Sequence, residues 1–123
     1  MLKNMLPVLA AVTDLFFLAQ IQQAAKNASL PFALANSNAS ALEKARSGAS
    51  ILILDLNDRN LSPLALISEI KSDPALSTLP ILGFLSHVHA DLKRQALDAG
   101  ADHVLARSVF ASSLPTLLAR YNG

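Results

Sequence analysis

The sequence has no cysteine, which removes disulfide cross-links and thiolate chemistry together and suits a reducing, cytoplasmic setting. Charge is scarce as well. Asp, Glu, Lys and Arg make up 15% of the residues against 52% hydrophobic, so the surface is thinly charged, which favours self-association or a partner. Neither sign is in excess: ten basic residues, spread from Lys3 to Arg120, face nine acidic ones for a net charge of +1. Nothing in that balance calls for nucleic acid. No apolar run reaches the roughly 18 residues that a membrane-crossing helix needs. There is no G-x-G-x-x-G or P-loop sequence and no G-x-S-x-G elbow, which removes the usual signatures of dinucleotide binding, nucleoside triphosphate binding and serine hydrolysis.

What remains is a chain of 123 residues, enough for one core without covalent staples. A single domain over 1–123 is expected, with no output domain after it. Lys3 and the apolar residues 5–12 have the outline of a short signal-peptide core, but Asp14 follows at once and a helical pattern continues beyond it, so 7–12 is assigned to a first strand. The centre of the chain is Ile51-Leu52-Ile53-Leu54-Asp55. Four aliphatic residues without polar alternation make a strand covered on both faces, the habit of a central parallel strand. It ends in a carboxylate, followed by the loop formers 57–60.

Further elements follow in order. A helix over 15–28 carries Leu15, Leu18, Ile21 and Ala25 as its buried stripe. A short strand covers 31–35, and Ser40 with Glu43 has capping-box form for a helix running to Ser47 and stopped by Gly48. Ser62 and Pro63 open a helix to Ser72 with Leu64, Ile67 and Ile70 inside; Asp73-Pro74 ends it. A strand over 80–85 leads to Ser86 and His87, a helix covers 90–99, and a short strand at 104–106 precedes Arg107. The last helix, over 112–121, buries Leu114, Leu117 and Leu118. Five strand–helix units joined by short connections predict an α/β doubly wound parallel sheet with helices on both faces. In such a sheet the strand order reverses once, and strand ends on either side of the reversal form a crevice. If the reversal lies between the first and third strands, Asp14 and Asp55 share it.

The strand-end residues Asp14, Asp55 with Asn57, Ser86 and Arg107, together with Leu79-Pro80-Ile81 and Ala99-Gly100-Ala101-Asp102, are similar in order and separation to the receiver domain of two-component response regulators, chemotaxis regulators included. The likeness spans the whole chain. It implies a flavodoxin-like three-layer (βα)5 sandwich with strand order 2-1-3-4-5, acting in phosphorelay signal transduction. By that resemblance Asp55 is the phosphoacceptor, and Asp14, Asp55 and the Asn57 carbonyl hold Mg2+. Ser86 and Arg107 contact the phosphoryl group. The implied partners are a histidine kinase or phosphotransfer protein and a downstream protein target. No nucleic acid or membrane partner and no enzymatic turnover beyond self-phosphorylation on Asp55 are implied, and the last strand and helix, with Val109, Phe110 and Tyr121, offer a homodimer surface. A hard cation, a carboxylate nucleophile and a nearby hydroxyl suit phosphoryl chemistry.

The chain also departs from the family pattern. Thr13 stands where the first acid of a pair is expected, Arg107 where lysine is expected, Ser108 where proline follows it, Val104 in place of a switching aromatic, and Arg59 where proline is common. Arginine keeps the charge but not the compact point contact. Three readings therefore stand side by side: an atypical receiver phosphorylated on Asp55; a pseudo-receiver, a binding module in which Arg107 bridges Asp14 and Asp55 in place of magnesium; and a small hydrolase using Ser86 and His87. His87 and His89 invite a zinc reading, but His103 falls at the other end of the sheet, so they are read as solvated loop histidines.

Overall fold

The computed structural model describes residues 6–86 and 89–121; Lys3 and Met5 of the signal-like stretch, and His87, lie outside the described residues. In chain order the elements are β1 (Val8–Ala11), α1 (Leu15–Asn27), β2 (Phe32–Ala35), α2 (Asn38–Ser47), β3 (Ile51–Asp55), α3 (Pro63–Ser72), β4 (Ile81–Leu85), α4 (Ala90–Ala99), β5 (His103–Ala106) and α5 (Arg107–Ala119). The strands form one parallel sheet in the order β2-β1-β3-β4-β5. This is the flavodoxin-like arrangement expected from the sequence, with the reversal between β1 and β3.

Side-chain alternation divides the core into two layers. Leu52 and Leu54 of β3 join Leu9 and Ala11 of β1 under α2, α3 and α4, whereas Ile51 and Ile53 join Val8 and Ala10 against α1 and α5. All four aliphatic side chains of β3 are buried, each worth roughly 2 kcal/mol of transfer free energy. Asp55 continues the odd-numbered series of Ile51 and Ile53, so the same alternation turns its carboxylate toward the α1/α5 face. In register it lies beside Phe84 of β4.

Four helices differ from the sequence-based expectation; in α3 Leu66 is buried with Ile67 and Ile70, and Leu64 is only half-buried. In α1 the buried face is Phe17, Ile21, Ala24 and Ala25, while Leu15 is 80% exposed and Phe16 66%. The rotation is set by Phe17, which packs on Phe84 at 5.0 Å between ring centroids, next to a Phe84–Phe110 stack at 4.4 Å. An aromatic cluster outweighs the smaller area that Leu15 would bury. Helix α2 begins a turn early, at Asn38, because the Ser37 hydroxyl caps the Ser40 N–H. Helix α5 starts on Arg107 and runs through Pro115 instead of beginning near 112. Phe110, Leu114 and Leu118, at i, i+4 and i+8, are buried, and Pro115 lies on the exposed side where its ring meets solvent. Phe110 is thus a core residue and not part of an exposed dimer surface; Val109 is 48% exposed. Positive-φ Gly48 and Gly100 end α2 and α4 as expected.

Candidate functional site: an acidic crevice at the strand ends

The parallel register brings the residues after β1, β3, β4 and β5 to one edge of the sheet. Thr13 and Asp14 leave β1, Asp55 closes β3, Ser86 follows β4, and Arg107 is the first residue of α5. All the residues expected at the site therefore arrive at one end of the molecule.

Asp55 is 3% exposed. Its Oδ1 accepts the Asn57 N–H at 2.9 Å, and Oδ2 lies 3.8 Å from Arg107 Nη2. That separation makes an ion pair rather than a hydrogen bond. Burial pushes the Asp55 carboxyl above its ordinary range; the Asn57 N–H and then the Arg107 guanidinium pull the other way, and Asp58 and Asp14 push it up further. Burial outweighs the ion pair because the Arg107 side chain is 41% exposed and that of Asp55 only 4%, so solvent screens the cation while the acid bears nearly the whole cost of desolvation. The guanidinium carbon sits 5.3 Å from the Phe17 ring centroid, a cation–π seat. Its Nε is buried with no hydrogen-bond partner.

Asp14 is on the surface, where its Oδ1 accepts the N–H groups of Phe16 and Phe17 at 2.9 and 3.2 Å. It is the N-cap of α1, a role worth about 1 kcal/mol. Asn57 links two loops: its Oδ1 accepts the Ser86 N–H at 2.8 Å and its Nδ2 lies 2.6 Å from His89 Nδ1. Beside Ser86 is a small cavity of about 240 Å3 lined by Leu85, Ser86, His89, Ala90, Lys93 and Ala106. Val104 is buried in β5. His103 opens β5 on the opposite edge of the sheet from His89. The hydrolase pairing of Ser86 rests on His87, outside the described residues.

One residue of the crevice escaped the sequence reading. Asp58 is 8% exposed, and its Oδ2 accepts both the N–H and the hydroxyl of Thr13 at 2.8 Å. Asn60 closes the network: its N–H donates to Asp58 Oδ1 at 2.9 Å, and its Nδ2 donates to Thr13 Oγ1 at 3.0 Å. Where an acid is expected after β1 the chain has a hydroxyl, and a carboxylate from the β3–α3 loop comes across to meet it. The pairing of an acid three residues past Asp55 with a donor in place of an acid was the only available signal. Among the described residues no three His, Asp or Glu side chains gather closely enough to hold a metal ion.

No protein-family model matches the sequence, and a search of curated proteins returns no match. Solved structures do match. A chain described as a response regulator from Chloroflexus aurantiacus superposes with a TM-score of 0.83 at 20% identity, over 97% of this chain and 98% of that one. The chemotaxis response regulator CheY4 of Vibrio cholerae gives 0.81 at 19% identity over 96% and 99%. The receiver domain of NtrX from Brucella abortus gives 0.79 at 19% over 94% and 97%. The chain therefore has the fold of response-regulator receiver domains.

Proposed function

We propose that this chain is a receiver-type signalling module that works by protein contact, with Asp55 as the acid on which a signal is written. The observation that carries this reading is the placement of Asp55: a buried carboxylate at the end of the central strand, facing the guanidinium of Arg107 at 3.8 Å, in a fold shared with receiver domains. In the phosphoacceptor form of the reading, an Asp55 oxygen attacks the phosphorus of a phosphohistidine on a histidine kinase or phosphotransfer protein. The O–P bond forms as the N–P bond breaks, and the departing imidazole nitrogen takes up a proton. A fixed guanidinium beside that oxygen offsets charge on the phosphoryl group. Ser86 and Asn57, tied by the Ser86 N–H, pass the change to the β4–α4 loop, where a downstream protein is met. The cytoplasm is the setting that fits; among the described residues no helix is long and apolar enough to cross a membrane.

A second reading, a pseudo-receiver that binds a partner without phosphoryl chemistry, is favoured by the near-complete burial of Asp55 behind Arg107. Incubation with acetyl phosphate, with magnesium and with chelator, separates the two by intact mass. A gain of one phosphoryl group that is lost in Asp55→Asn supports the first reading. No gain at any magnesium level overturns it in favour of the second.

A further inference from the structure

A divalent cation at this edge of the sheet would need several oxygen ligands pointing at one place, since magnesium demands near-octahedral geometry and gives up its waters reluctantly. The resemblance offers Asp14, Asp55 and the Asn57 carbonyl, and the side chains present do not fit that demand. Asp14 Oδ1 is taken up by the first turn of α1. The two oxygens of Asp58 are held by Thr13 and by Asn60. Asp55 Oδ2, the oxygen left after the Asn57 N–H, already faces a positive charge. That charge is anchored: Arg107 is the first residue of α5, its guanidinium lies over Phe17, and Phe17 is packed into the aromatic cluster of the core.

We infer that the crevice carries its cation within the chain, Arg107 seated on Phe17 standing beside Asp55 where a divalent ion would otherwise be held. The Thr13–Asp58–Asn60 network is the other half of the device. With no acid at position 13, no carboxylate there needs a metal or its water shell, and the oxygens of Asp58 are satisfied by hydrogen bonds from Thr13 and Asn60 instead of by an ion. An arginine suits this use better than lysine. Its planar face can rest on an aromatic ring while its edge meets the carboxylate, and its weaker hydration lowers the cost of bringing it in from water. The inference stands whether or not Asp55 accepts a phosphoryl group, because it concerns the resting crevice.

The test uses the full chain and the bare metals. Isotope-labelled protein is titrated with Mn2+ at constant ionic strength, and paramagnetic broadening of the backbone amides is followed, with Mg2+ as the competing diamagnetic ion. The expected result is weak, non-saturating broadening spread over exposed carboxylates away from the crevice, such as Glu69 and Asp98. Saturable broadening centred on residues 55–58 and reversed by Mg2+ overturns the inference, and this arm needs no variant. Arg107→Gln supplies the positive arm. Removal of the internal charge is expected to raise Mn2+ affinity at Asp55 by about tenfold or more, the scale of one strong charge interaction, and to make thermal stability depend on magnesium. Arg107→Lys guards against misreading a folding defect: it keeps a positive charge but loses the planar seat on Phe17, so it should fold and bind Mn2+ more tightly than the parent and more weakly than Arg107→Gln. An Arg107→Gln protein that folds and gains no affinity for Mn2+ counts against the inference. The phosphodonor experiment reads a covalent mass change and fails or succeeds independently of these arms.

Discussion

The hydroxyl and the backbone N–H of Thr13 both donate to one oxygen of Asp58, each at 2.8 Å, across 45 residues of sequence. The contact ties the end of β1 to the loop after β3 and closes one side of the crevice around Asp55. It also fixes why position 13 bears a hydroxyl: a carboxylate there would face Asp58 at hydrogen-bond distance, and like charges so placed repel.

Thr13→Val keeps the shape of the side chain and the backbone bond while removing the hydroxyl donor. Asp58 then stays buried with one donor fewer, and Asn60 Nδ2 loses its acceptor. The expected loss is about 1–2 kcal/mol, measured as a lower urea midpoint with unchanged slope. Equal stability of the two proteins would show that water replaces the hydroxyl without cost.

Asp55 sets a pH dependence whose sign follows from burial as the largest cause of its raised pKa, ahead of the opposing Asn57 N–H and Arg107. A folded-state value above the unfolded one means that the native protein binds the proton more tightly. Stability from this group is complete below the unfolded pKa and is lost as pH rises through the folded one. Asp55→Asn, which retains an oxygen for the Asn57 N–H, should therefore be more stable than the parent at neutral pH, with the difference vanishing in acid. Denaturant curves over the pH range check this; a less stable variant at neutral pH would mean that the Arg107 pairing outweighs desolvation.

Asn57 has its amide orientation dictated by Ser86. A backbone N–H can only donate, so the atom it meets at 2.8 Å is Oδ1, and Nδ2 must face His89. His89 Nδ1 is then an acceptor, and the neutral ring carries its proton on Nε2. Nitrogen-detected NMR should find that tautomer. In Asn57→Leu, exchange of the Ser86 amide with solvent should quicken by about tenfold or more as the loop loses its tie; unchanged exchange would remove Asn57 from any role in coupling β3 to β4.

Gly83 faces Leu54 across the sheet, and a Cβ built on it would lie 2.9 Å from Leu56 Cδ1 and 3.1 Å from its Cγ. Leu56 is 4% exposed and has little room to retreat. Gly83→Ala should cost about 1–3 kcal/mol through overpacking and shift the amide resonances of Leu56 and Asn57, the turn that carries the Asp55 cap. A stable protein with those resonances unmoved would place the slack elsewhere in the layer.

Much of this molecule was already legible in the order of its residues. Two-faced apolar runs, Gly48 and Gly100 at helix ends, and Pro63 at a helix start are local signals, and with short connections and right-handed crossovers they lead to five parallel strands with one reversal. That topology alone carries Asp55, Asn57, Ser86 and Arg107 to one edge. Rotation of α1 onto Phe17, the start of α5 at Arg107, and the recruitment of Asp58 by Thr13 were decided only in three dimensions. Each depends on partners tens of residues away: Phe84 and Phe110 for α1, Phe17 and Asp55 for Arg107, and Thr13 for Asp58. Periodicity within a segment reports which residues want burial, but it holds no record of which distant side chain supplies the charge or the hydrogen bond that a buried carboxylate requires.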